Sequence, residues 1–172
     1  MSRQISSIRA YRIAAVQEAQ ATDNQPDYMD AFEVSKLGTD TRTSEQWMRA
    51  VFESAPHPVR WFLLLGWRWV LGLRLGPRPS PDHVLGWRIV STEPDSIHLE
   101  LSSALMVARL SLRVASSTTI WITSVHYTRS LARPIWTAVG LIHRQMIPYL
   151  LGRAASIPQP AAGKTSTDHA DI

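Results

Sequence analysis

The chain has no cysteine, which excludes disulfides and thiolate metal sites outright. Lysine is nearly missing too: Lys36 and Lys164 are the only two, so arginine supplies almost all of the 18 basic residues set against 14 acidic ones. The arginines stand singly, as at Arg60, Arg68, Arg88, Arg109 and Arg113. With no basic block and no aromatic RNA-binding motif, no nucleic-acid partner is expected. GxSxG, HExxH and GxGxxG are all missing, and the six histidines lack metal-ligand spacing, so neither a metal nor a cofactor is expected. "AAGKT" at 161–165 ends like a phosphate-binding loop, but Pro158 stands where its first glycine would be and no strand precedes it. The first twenty residues hold no continuous apolar core with a cleavage site behind it. No secretory leader is read, and the expected location is cytoplasmic.

A long hydrophobic run is missing as well. The most apolar stretch, "WFLLLGWRWVLGLRL", extends to Val59–Leu75, short of the ~20 residues that a spanning helix needs. It carries Arg60, Arg68 and Arg74, and an arginine near a bilayer centre costs about 2.5–3.5 kcal/mol. No integral membrane segment is expected. The run reads as a helix of a soluble protein: either mostly buried, or a pocket lid or membrane-surface contact with Trp61, Trp67 and Trp69 as anchors.

What is present fits one domain. At 172 residues, with 45% apolar and 19% charged, the chain can bury a real core. We divide it into an N-terminal extension over 1–26, a domain over 27–156 and a disordered tail over 157–172, which is rich in Pro, Ala, Ser and Thr. Within the extension, a short helix is read around Ile8–Gln20. "YMDAFEV" alternates, putting Tyr28, Asp30, Phe32 and Val34 on one side of a strand. Thr43 and Gln46 have capping-box spacing ahead of a helix. From Val84 the period is two through "VLGWRIV", "SIHLELSS", "MVARLSLRV" and "TTIWITSVHYT", read as consecutive antiparallel strands. Trp87, Leu110, Trp121, Thr123 and Tyr127 fall on their inner faces. "RPIWTAVGLIHRQMIPYLLGRAA" then reads as a long helix whose stripe of Trp136, Val139, Gly140, His143, Ile147 and Leu150 covers the sheet.

This order, with the stretches "YMDAFEV", "PSPDHVLGWRIV" and "ARPIWTAVGLIHRQMIPYLL", resembles an uncharacterised bacterial family within the SRPBCC (START-like, helix-grip) superfamily. The resemblance covers roughly residues 27 to 155. It implies an α+β fold: a curved antiparallel sheet packed on a long C-terminal helix, with two helices after the first strand. It also implies a cavity between sheet and helix for an apolar or aromatic ligand. Against the superfamily's usual seven strands only about five are readable here, which points to a small cavity or none.

The function expected is that of a soluble protein binding a small hydrophobic or aromatic, polyketide-like ligand. Trp61, Trp87, Leu110, Trp121, Thr123 and Trp136 are the candidate ligand contacts. The enzymatic alternative is a cofactor-free cyclase or aromatase. There His143, at mid-stripe on the long helix, serves as acid or base, assisted by Asp30 and Tyr127. An inward Asp30 needs a partner, and His143, Tyr127 and Arg88 are the candidates. His143 also reads as a core histidine satisfied by one neighbour. A third alternative is a pocketless interaction or membrane-peripheral protein.

Overall fold

The structure, a computed structural model, describes residues 10–13, 25–36 and 40–157. The elements run β1 (Ala10–Ile13), β2 (Tyr28–Ser35), α1 (Ser44–Glu53), α2 (His57–Leu65), a π-helical turn (Gly66–Val70), β3 (His83–Val84), β4 (Trp87–Thr92), β5 (Ser96–Ser102), β6 (Met106–Val114), β7 (Thr118–Tyr127) and α3 (Ala132–Ala155). The fold is α+β. One curved, unclosed antiparallel sheet, in the order β1-β2-β7-β6-β5-β4-β3, grips α3.

Alternation decides which face of the sheet is covered. Ile97, Leu99 and Leu101 of β5 and Met106, Ala108, Leu110 and Leu112 of β6 are buried, while His98, Arg109 and Arg113 face out. On β7 the inward set is Thr119, Trp121, Thr123 and Val125. The register sets Asp30 opposite Thr123 and Phe32 opposite Trp121, so β2 adds its own inner face to the same wall. Helix α1 starts in the capping box read from the sequence: the Gln46 amide donates to Thr43 Oγ1 (3.3 Å), and the Thr43 amide donates to Gln46 Oε1 (3.0 Å). Its apolar side then buries Trp47, Met48, Val51 and Phe52 against α3 and the strands.

Three expectations need correction. Ala10–Ile13 is a strand, not part of a helix over Ile8–Gln20; the rest of that stretch lies outside the described residues, as does the tail beyond Ile157. Pairing to β2, with Ala10 opposite Val34, satisfies the backbone here and overrides a weak helical pattern. Second, the sheet has seven strands rather than five. One of the two extra strands is the two-residue β3, joined to β4 through Leu85 (φ 47°) and Gly86 (φ 91°). Positive φ at both central residues is the geometry of a two-residue hairpin. Third, the Val59–Leu75 run is helical only as far as Val70 and is mostly not buried. Leu63 is its one buried residue in α2, and the π turn has none. The Leu71 amide donates to the Gly66 carbonyl (3.0 Å), and Gly72, at φ 62°, ends the helical course.

Candidate functional site

Part of the space between sheet and α3 is not filled. A cavity of about 450 Å³ lies there, within the ~300–1,000 Å³ usual for small-molecule sites. Its floor is Ala108, Leu110, Trp121 and Thr123 of the sheet together with Trp87. Trp136, Val139, His143, Met146 and Ile147 of α3 form one side, and Phe52, Leu63 and Trp67 another. At the mouth stand Phe62, Leu65, Trp69, Val70 and Ile142, all of them lining residues that are also exposed.

Aromatic rings stiffen this wall. Trp87 meets Trp67 edge to face with centroids 5.5 Å apart, Trp67 meets Phe52 at 5.3 Å, and Phe52 meets Trp121 at 5.5 Å. Rigid rings in this arrangement attract through their quadrupoles, so they hold a shape without filling it. The π turn is what brings Trp67 into the chain of rings, and such turns recur at functional positions.

One corner is polar. Trp121 Nε1 donates to Thr123 Oγ1 (2.9 Å), and Thr123 Oγ1 lies 3.1 Å from His143 Nε2. His143 Nε2 also lies 3.4 Å from Oδ1 of Asp30, whose other oxygen accepts from the Tyr28 hydroxyl (2.5 Å). Asp30 is 1% exposed, and a carboxylate so buried needs donors. The Tyr28 hydroxyl supplies one. Placing the Nε2 proton toward Asp30 supplies the second and leaves Nδ1 of His143, which has no bond to any described residue, free to accept from a ligand. Burial, and the hydrogen bond to the Asp30 carboxylate, push the Tyr28 hydroxyl far above the ordinary phenol range, so it remains a donor. Trp136 packs on both partners, with ring centroids 5.2 Å from Tyr28 and 5.6 Å from His143. The buried indole N–H groups of Trp87 and Trp136 have no hydrogen-bond partner among the described residues.

Of the candidates named from the sequence, Trp87, Leu110, Trp121, Thr123, Trp136 and His143 line the cavity. Asp30 stands one step behind, through His143. Trp61 is 63% exposed and outside the lining. Tyr127 also lies outside the lining; its amide donates to Asp27 (2.7 Å), and burial, then the Asp27 charge, raises its hydroxyl. Arg88 faces out and pairs with Glu100 at 3.5 Å, not with Asp30. Sequence reasoning missed Tyr28 as the phenol of the site, although Tyr28 and Asp30 share a strand face and the signal was therefore available. It also missed Phe52, although its spacing of four from Met48 sets it on the apolar side of α1. Among the described residues no group of three or more His, Asp or Glu could hold a metal, and no helix is long and apolar enough to cross a membrane. Comparison with models of protein families, with curated proteins and with solved structures yields no match to this chain.

Proposed function

We propose that the protein is a START-like, helix-grip binding protein of the cytoplasm that holds one small hydrophobic or aromatic molecule, oriented by a single polar corner. The observation that carries this reading is the open apolar cavity whose wall is broken by His143, backed by Asp30 and Tyr28. Apolar burial supplies the affinity, and the imidazole, through its free acceptor nitrogen, selects a ligand bearing a hydroxyl at one end. Native mass spectrometry of protein purified from its own host tests the reading, with a copurified apolar molecule as the expected result. The variant His143→Leu is expected to weaken binding of that molecule about two- to tenfold, the loss of one neutral hydrogen bond. Unchanged binding would remove His143 from the site.

The Asp30–His143 pair favours one second reading, a cofactor-free cyclase or aromatase. A carboxylate behind an imidazole fixes its tautomer and orientation, which suits proton transfer beside a carbonyl. In that case Tyr28, rather than Tyr127, is the phenol of the set, and it acts through Asp30. His143→Leu then lowers turnover by about 10²–10⁴-fold while binding changes little.

A further inference from the structure

Ten large hydrophobic side chains are exposed among the described residues, and eight of them lie on two segments, α2 with its π turn and α3. Trp61, Phe62, Leu65, Trp69 and Val70 stand on α2 and the π turn, with Trp69 75% exposed. Leu141, Ile142 and Tyr149 stand on α3. A shallow groove of about 370 Å³ runs between the two segments from Val59 to Tyr149 and shares Ile142 and Met146 with the cavity. Exposed apolar area gathered at one place marks an interaction surface, and here it surrounds the cavity mouth.

The segments that carry this surface have charge of one sign. No Asp or Glu occurs between Glu53 and Asp82, and none occurs in α3, while Arg60, Arg68, Arg74 and Arg78 fall in the first stretch and Arg133, Arg144 and Arg153 in the second. Arg60, Arg68 and Arg74 have no acidic partner among the described residues. Arg68 lies over the Trp69 ring at 5.9 Å, its charge beside the most exposed indole.

We propose that this face docks the cavity mouth on an anionic lipid bilayer. The interfacial zone of such a bilayer takes indole rings at headgroup depth and offers phosphates to arginines whose stems lie along apolar surface. A second copy fits less well. A two-fold contact would set this acid-free face against itself, arginine toward arginine. The docking rests on the carrier reading only for what passes through the mouth: an apolar ligand would move between bilayer and cavity without crossing water.

Sedimentation with vesicles of phosphatidylcholine, alone or mixed with phosphatidylglycerol, tests this. The protein is expected to bind the mixed vesicles in preference, less so as salt is added. Each arginine near an anionic surface contributes about fivefold to partition, so Arg60→Glu/Arg68→Glu is expected to lower it by about 25-fold or more. Trp61→Ser should weaken binding while leaving its salt dependence intact. None of these three residues lines the cavity. Both variants should therefore bind the neutral probe N-phenylnaphthylamine in solution, without vesicles, as the parent does. Probe binding without vesicle binding would overturn docking and leave the carrier reading standing; vesicle binding without probe binding would do the reverse. A dimer that Trp61→Ser dissolves would assign the face to a second copy and likewise overturn the proposal.

Discussion

Helix α1 buries five of its ten residues, whereas the nine residues of α2 and the five of the π turn bury only Leu63. Yet α1 is the more polar of the two. It carries Glu45, Arg49 and Glu53, with Arg49 bridging Glu45 at 2.8 Å and Glu53 at 3.0 Å and reaching the carbonyls of Pro81 and His83. Those charges occupy one side and leave the other apolar except for Ser44 at the first position, which is what a helix needs in order to lie on a core. Helix α2 and its π turn carry apolar residues on both sides, with Arg60 and Arg68 among them. One side faces a cavity and the other faces outward. Apolar content thus measures how much surface asks to be covered, and the packing geometry decides whether the protein itself supplies the cover.

The sharpest way to break this comparison is to remove one tryptophan from each region. Trp47 in α1 is fully buried, with the Arg42 guanidinium over its ring at 4.1 Å. Trp47→Ala is expected to cost about 3–5 kcal/mol, the range for deleting a large core side chain. Trp69→Ala, at the mouth, is expected to stay within about 0.5 kcal/mol. Urea unfolding of both variants measures the difference. Similar losses would mean that the π turn after α2 is part of the core after all.

The same contrast explains what could be read from sequence. Strands β5 to β7, the α1 capping box and the inner stripe of α3 each repeat a period or a local motif, so their signals are carried by near neighbours in the chain. The inward placement of Thr123, His143 and Asp30 followed from those periods. Their meeting did not, because it depends on β2 pairing with β7 across more than eighty intervening residues. Strands β1 and β3 were illegible for another reason: at four and two residues they are too short to show alternation, and their partners define them. The exposure of the Trp61–Val70 segment was not legible either. A run of that composition has the same periodicity whether a core or a cavity lies beside it.

A smaller effect is expected where α1 is tied to the end of α3. Arg42 donates to the Ala154 carbonyl (3.0 Å) and pairs with Asp40, the two side chains being 10% and 8% exposed. Burial by itself would raise the Asp40 carboxyl, but the Arg42 hydrogen bonds and charge overcome it and hold the group below its ordinary range. A depressed folded-state value means that the unfolded chain binds the proton more readily. The stabilisation is therefore present above the unfolded carboxyl's pKa of about 3.9 and is lost as pH falls through the lower folded value. Asp40→Asn is expected to cost about 1.5–3 kcal/mol at neutral pH, the value of hydrogen bonds to a charged group. It should also flatten the acid limb of the stability curve, measured by thermal unfolding across that window. An unchanged acid limb would show that other carboxylates set it.

The smallest effect is expected at Gly66, and its sign is opposite. Gly66 sits at the start of the π turn with φ −59° and ψ −47°, a conformation that any residue adopts, and a Cβ built there meets nothing within 4 Å. Neither backbone nor packing requires glycine at this place. Gly66→Ala should therefore stabilise the protein by about 0.4–1 kcal/mol by reducing the freedom of the unfolded chain. Gly66 also lines the cavity, so the added methyl group stands beside space open to a ligand. If that space is used, the variant should unfold at higher denaturant yet bind the copurified molecule more weakly. At Trp47 of α1, which lies outside the cavity lining, the two readouts would have to fall together, because that side chain contributes packing. A gain in stability with a loss of binding would show that the α2 segment is shaped for what enters the cavity. Equal binding by parent and variant would place the ligand deeper, against His143 and Trp121, and leave Gly66 unexplained.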